Sequence, residues 1–218
     1  MNEILTGRQV AFLKEISEQE FLAENFYLSG GTALAGFYLY HRYSEDLDFF
    51  SENEVDPTQI FIFLKSLKKR MGIQKVDFKQ SYNRNLFFLH FEDEVLKMEF
   101  TYFPFKRIEK GMKKLGISVD SLFDITVNKL FTIYQRCKAR DYIDLYYICK
   151  EGNVSLPEVI KMAKIKFDWH VDPLQLGTQF LKVKEAEDYP NMIQSLDIEA
   201  LQDFFIKEAK KLSPDILY

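Results

Sequence analysis

Apolar residues recur at helical spacing in several stretches of the chain and alternate in others, and the two periods divide it into elements. Val10, Leu13 and Ile16, with charged residues between them, predict an amphipathic helix over 6–18. Phe26, Tyr27 and Leu28 form a short strand that runs into Ser29, Gly30 and Gly31, and Thr32 then opens an apolar helical stretch, ALAGFYLYH. Residues 46–50, DLDFF, read as a second strand. Pro57 stands in the first turn of a helix that Gly72 ends. Strand-like runs follow at 73–81, 85–92 and 95–103, separated by turns at Tyr82-Asn83-Arg84 and Glu92-Asp93-Glu94.

After Pro104 the strand signals largely stop and helical patterns occupy 121–136, 139–150, 156–166, 172–182 and 197–211. This change of period predicts an α+β chain: an α/β domain with a mixed sheet flanked by helices over 1–110, then a helical domain over 111–218. No internal repeat or low-complexity segment interrupts either half.

Composition narrows the class. The 218 residues are 47% hydrophobic and 16% aromatic, enough for one sizeable core or two modest ones. No apolar run approaches the roughly 20 residues that span a bilayer, and the first 16 residues lack a signal-peptide core, so a soluble cytoplasmic protein with no membrane partner is expected. Cys137 and Cys149 lie twelve residues apart with no His or Cys at metal-ligand spacing, which makes them packing thiols. The net charge of -4 is unevenly spread: residues 104–166 hold 13 Lys and Arg against 7 Asp and Glu. That basic block is either a solvated helical surface or a phosphate-binding one.

The candidate chemistry lies in GGTALAGFYLYHRYSEDLDFFS. Asp46 and Asp48 are two apart on a predicted strand, so both carboxylates project from one face while Leu47 and Phe49 project from the other. Adjacent like charges on one face are destabilising without a compensating cation. Paired oxygens at this spacing suit Mg²⁺, although an exposed acidic edge would have the same sequence. Gly30 and Gly31 sit between a strand and a helix, where bare backbone N–H groups can approach a phosphate. In VLKMEFTYF, Glu99 shares a face with Lys97 and Thr101, and it is a third carboxylate for the cluster if this strand lies beside that of Asp48.

The pattern GG-T-AL followed by R-x-S-x-D-L-D-F-F resembles the first motif of the AbiEii/AbiGii abortive-infection nucleotidyltransferase toxins, a branch of the polymerase-β superfamily. The later K-L-x-x-I-x-x-R and A-R-D-Y-I-D-L-Y-Y resemble that family's lysine helix and its RD-x-x-D-L-Y segment, and the resemblance spans 28–148. It implies a polymerase-β-type fold in which Asp46 and Asp48 hold Mg²⁺ or Mn²⁺ carrying a nucleoside triphosphate. It also implies a third acidic ligand, here Glu99 where Asp is commoner. Further implications are phosphate contacts from Gly30, Gly31, Thr32, Arg42, Ser44 and Lys129, and an active-site role for Asp141 as a base or as the partner of Lys129. The implied activity is transfer of a nucleoside monophosphate to an RNA acceptor such as tRNA, by a toxin with an antitoxin partner.

In the helical half, Phe123, Val127, Leu130, Phe131 and Tyr134 define a core stripe. Lys129, Arg136 and, if the helix continues, Arg140 point nearly opposite, so one exposed cationic line is expected, either solvated or bound to phosphate. Asp144 is expected in an i, i+4 surface pair with Arg140, and His41 at a helix C-terminus. Two rivals stay open: a nucleotide-binding module without catalysis, and a transferase acting on a small molecule such as an aminoglycoside.

Overall fold

The computed structural model describes residues 4–152 and 154–212. Its contacts divide the chain into two compact units, one of residues 1–36, 44–106 and 110–120, the other of 37–43, 107–109 and 121–218.

The first unit is a mixed seven-stranded sheet with helices. In chain order, α1 is Gly7–Glu18, α2 Glu20–Asn25, β1 Tyr27–Ser29, α3 Gly30–Leu34, β2 Leu47–Ser51, α4 Pro57–Met71, β3 Lys75–Ser81, β4 Arg84–His90, β5 Val95–Tyr102, β6 Met112–Lys114 and β7 Ile117–Val119. The strand order is β3-β4-β5-β2-β1-β7-β6, with β2/β5 and β1/β7 parallel and the other neighbours antiparallel. The expected alternation holds in β2. Leu47 and Phe49 are buried, and Phe49 stacks on Phe100 of β5 at 4.9 Å between ring centres. Phe100 also meets Phe26 and Phe87 edge-on at 5.1 and 5.9 Å, so one face of the central strands is an aromatic core. The opposite face of the same strands carries Asp48, Glu99 and Arg84.

Local signals place the helix ends. Thr6 and Gln9 form a capping box at the start of α1, Asp56 caps α4 through the Thr58 N–H, and Gly72 ends α4 at φ +72°. Three elements escape the periodicity reading: α2, and the hairpin β6/β7 turning at Leu115-Gly116. Three-residue strands are too short to show alternation. The helical stretch after Thr32 also differs from a regular helix, because α3 passes into a π-helical turn at Ala35–Leu39.

The second unit is helical: α5 Leu122–Gln135, α6 Ala139–Lys150, α7 Leu156–Lys166, α8 Pro173–Leu181 with a 3₁₀ turn Lys182–Glu185, and α9 Ile198–Lys211. Its core centres on Tyr142, fully buried against Phe205 at 5.1 Å, with its hydroxyl donating to the Gln179 carbonyl. Among the described residues no helix is long and apolar enough to cross a membrane.

Phe100→Ala should lower unfolding free energy by about 3–5 kcal/mol, because a ring packed against three others is replaced by a cavity. Urea titration would check this, and a loss below about 1 kcal/mol would contradict a core centred on this ring.

Candidate active site

In the first unit, a network of polar contacts orders the loop before β2. The Thr32 hydroxyl donates to the Asp46 carbonyl and lies 2.8 Å from the Ser44 hydroxyl. The buried Gln9 side chain donates to the Ser44 and Glu45 carbonyls at 2.8 and 3.1 Å while its oxygen accepts the Thr6 N–H. Sequence reading passed over Gln9. The Thr6-x-x-Gln9 spacing was its signal, but only the fold brings the capping side chain to residues 44 and 45.

Gly30 has φ +71°, and a Cβ built there would lie 2.7 Å from Asp48 Oδ2. The glycine therefore serves the carboxylate directly, since any side chain would strain the turn and displace Asp48. Ser29 beside it donates to the buried Asp120 at 2.8 Å.

Asp48 pairs in register with Glu99, so β5 does lie beside the aspartate strand. Lys97 Nζ stands 2.7 Å from Asp46 Oδ2 and 3.8 Å from Glu99 Oε2. Glu99 is 5% exposed, and Arg84 grips both its oxygens through Nε and Nη2 at 2.6 Å each, with the Thr101 hydroxyl donating at 2.8 Å. Burial by itself raises the Glu99 pKa; the Arg84 guanidinium, helped by Thr101 and Lys97, outweighs it and holds the carboxyl below its ordinary value.

Asp46 and Asp48 suit Mg²⁺ or Mn²⁺, which takes one or two carboxylates and completes its shell with water and phosphate oxygens. Asp46 is 30% exposed at its side chain and therefore accessible. Glu99, the expected third carboxylate, stands beside Asp48 and is held by Arg84. Its oxygens are committed to Arg84, and among the described residues no three His, Cys, Asp or Glu side chains are arranged to hold a metal ion. Sequence reading missed Arg84 because it was read as a turn residue; it is the first residue of β4.

The second unit holds an ionic cluster that overturns the exposed cationic line. Helix α5 packs against α6, α7 and α8, so it is buried behind its apolar stripe as well as along it. Lys129 is 8% exposed, with Nζ 2.8 Å from Asp141 and 2.6 Å from Asp144. Arg42 is not exposed for a triphosphate either: its guanidinium holds both Asp144 oxygens at 2.7 and 2.8 Å, and His41 Nε2 lies 2.8 Å from the same carboxylate. His41 is thus a core residue beyond the π-helical turn. Asp144 is fully buried, not the surface partner of Arg140. Arg136, the C-cap of α5, reaches Asp141 at 3.0 Å, and because the helix ends there, Arg140 starts a new helix and does not extend the line.

Burial pushes the Asp144 pKa up, but Lys129 and Arg42 push it further down, leaving it well below its ordinary value. Asp141 is likewise lowered, chiefly by Lys129 and then Arg136 against its burial. Lys129 is raised because the two carboxylates outweigh its desolvation. A second buried pair, Lys166 with Asp124 at 2.7 Å, takes the Ile108 and Glu109 N–H groups as well.

The fold is α+β, a mixed seven-stranded sheet in which Asp48 of β2 stands beside Glu99 of β5, with Asp46 one residue before β2. The chain belongs to the nucleotidyltransferase AbiEii toxin family of type IV toxin–antitoxin systems, whose model matches residues 11–213. It is 30% identical over 148 residues to the uncharacterized protein aq_aa25 of Aquifex aeolicus (strain VF5), covering 67% of this chain and 68% of that one. Its fold is similar to that of JHP933 from Helicobacter pylori, with TM-score 0.61 and 21% identity over 99% of this chain and 94% of that one.

Lys129→Ala should destabilise the protein by about 3–5 kcal/mol, since it leaves two buried carboxylates short of a cation. Thermal and urea unfolding check this, and an unchanged Tm would restore the exposed reading. The pH dependence has a definite sign. The Asp144 pKa is depressed in the folded state, so its contribution is complete above the unfolded value of about 3.9 and is lost as pH falls through the lower folded value. Asp144→Asn should therefore be much less stable than wild type at pH 7, with the gap closing steadily below about pH 4; a gap constant with pH would contradict the assignment.

Proposed function

We propose that this protein is a cytoplasmic, metal-dependent nucleotidyltransferase that moves a nucleoside monophosphate from a nucleoside triphosphate to an RNA acceptor such as tRNA, releasing pyrophosphate. Family membership supports nucleotidyl transfer, and the observation that carries the site is Asp48 against Gly30 on the polar face of β2, with the partly exposed Asp46 one residue before the strand. Asp46 and Asp48 would hold Mg²⁺ or Mn²⁺, which supplies charge neutralisation at the reacting phosphate. Gly30 fixes Asp48, and Thr32, Ser44 and Gln9 fix the loop that delivers Asp46. The backbone N–H groups of Gly30 and Gly31 would face the phosphate oxygens. Lys129 and Asp141, which pair at 2.8 Å, and Arg42 belong to the helical unit.

Arg84 and Lys97 favour a polyanionic substrate over a polycation such as an aminoglycoside, because they make the carboxylate face mixed in charge. The RNA reading no longer draws on the Lys129 line. It rests on the family and on the exposed cations of the 104–166 block, among them Lys110, Lys113, Lys114, Arg140, Lys161 and Lys164. Membership of a toxin–antitoxin family makes a cognate antitoxin the expected partner.

Asp46→Ala and Asp48→Ala should each abolish transfer of label from α-labelled triphosphates to total cellular RNA in Mg²⁺. Because Asp46 is partly exposed and Asp48 lies on the polar face, their melting temperatures should stay close to wild type. Undiminished labelling by both variants would remove the site assignment.

A further inference from the structure

The sheet face that carries Asp48 continues across β5 onto β4 and β3, and the register aligns two rows of side chains on the aspartates. One row runs from Leu86 through Glu99 to Asp48, and the next from Phe88 through Lys97, whose ammonium reaches Asp46 at 2.7 Å. Each row covers two interstrand spacings, about 10 Å. Phe88 differs from its neighbour Phe87 in what it meets. Phe87 points to the other face, fully buried against Phe61, Phe78 and Phe100. Phe88 and Leu86 are half-buried, and among the described residues Phe88 stacks on no other ring. Cations surround it on the same face. Lys97 lies directly across from Phe88 on β5, the exposed Lys79 lies across from Leu86 on β3, and Lys75, 67% exposed, pairs with Asp77 at 2.8 Å. An aromatic ring set among cations on an open sheet face can stack an unpaired base while the cations follow the phosphates.

Strand order decides which base. Gly30, which follows β1, flanks β2 on one side, while β5 and β4 lie on the other. Phosphoryl transfer keeps the attacking and leaving oxygens roughly in line. With the triphosphate on the Gly30 side, the attacking hydroxyl comes from the side of β5 and β4. We propose that Phe88, with Leu86 beside it, is a stacking platform for an unpaired base at the end of the acceptor strand, and that Lys75 and Lys79 hold the phosphates of that strand. The proposal rests on the nucleotidyltransferase reading of Asp46 and Asp48 and names the surface that receives the acceptor.

The test uses the full chain and three probes: a short single-stranded oligoadenylate, an abasic ribose-phosphate oligomer of the same length, and a non-hydrolysable ATP analogue with Mn²⁺. Binding of the oligomers is read by fluorescence anisotropy and of the analogue by isothermal titration. Wild type should prefer oligoadenylate to the abasic oligomer by about tenfold, the scale of one stacked base. Phe88→Ala and Phe88→Leu should both lose that preference and Phe88→Trp should keep it. The Leu variant retains an apolar side chain, so its loss is not one of folding. Lys75→Gln with Lys79→Gln should weaken both oligomers alike and flatten their salt dependence. Affinity for the analogue should stay within about twofold of wild type in every variant. A Phe88→Leu protein with the full preference for oligoadenylate overturns the proposal. So does a Phe88→Leu protein that loses the analogue and keeps oligoadenylate, because the ring then serves the incoming nucleotide. Equal binding of the two oligomers by wild type also overturns it, and leaves the Asp46/Asp48 reading intact as long as wild type binds the analogue. Failure of wild type to bind the analogue in Mn²⁺ overturns the nucleotidyltransferase reading and this proposal with it.

Discussion

Among the described residues, Glu99, Asp124, Asp141 and Asp144 leave water with a cation beside them, and that pairing organises both units. An unpaired buried carboxylate would be driven to protonate or to unfold its surroundings. Glu99 is therefore gripped by Arg84, Asp144 by Arg42 and Lys129, Asp141 by Lys129 and Arg136, and Asp124 by Lys166. The Asp46/Asp48 pair stands apart from these. Asp46 keeps partial exposure, with the Lys97 ammonium at 2.7 Å and Arg84 within electrostatic reach.

The sheet makes the availability of that pair an outcome of ordinary alternation. Phe49 and Phe100 stack on one side of β2 and β5, so the register that buries the aromatic rings also sets Asp48 beside Glu99 on the other. A one-residue slip of β2 would bury Asp48 and expose Phe49, so the packing of the core enforces the geometry of the site. Gly30 adds a steric condition at short range, since only hydrogen fits where the Asp48 carboxylate approaches.

Much of this was legible in the sequence. Strong periods and caps gave the long helices and the strands β2 to β5 to within a few residues, although β2 begins at Leu47 and leaves Asp46 just before it. Glu99 could be placed beside Asp48 by alternation, but its partner could not, because Arg84 lies fifteen positions away on a strand whose register is a tertiary fact. Lys129 failed for a related reason. A helical projection identifies the side opposite the apolar stripe, but a helix packed on three others keeps only a narrow open side, at Asn128, Thr132 and Gln135, and the projection cannot see Asp141 and Asp144 arriving from α6. Arg42 and His41 were misplaced because a segment between two elements of the sheet unit is packed into the helical unit.

The central claim is that Asp46 and Asp48 hold the divalent ion of a nucleotidyl transfer site. Anomalous diffraction from crystals grown with Mn²⁺ and a non-hydrolysable nucleoside triphosphate tests it most directly. The account predicts a manganese peak ligated by Asp46, Asp48 and phosphate oxygens. A peak ligated elsewhere, or a nucleotide bound away from this face, would contradict it.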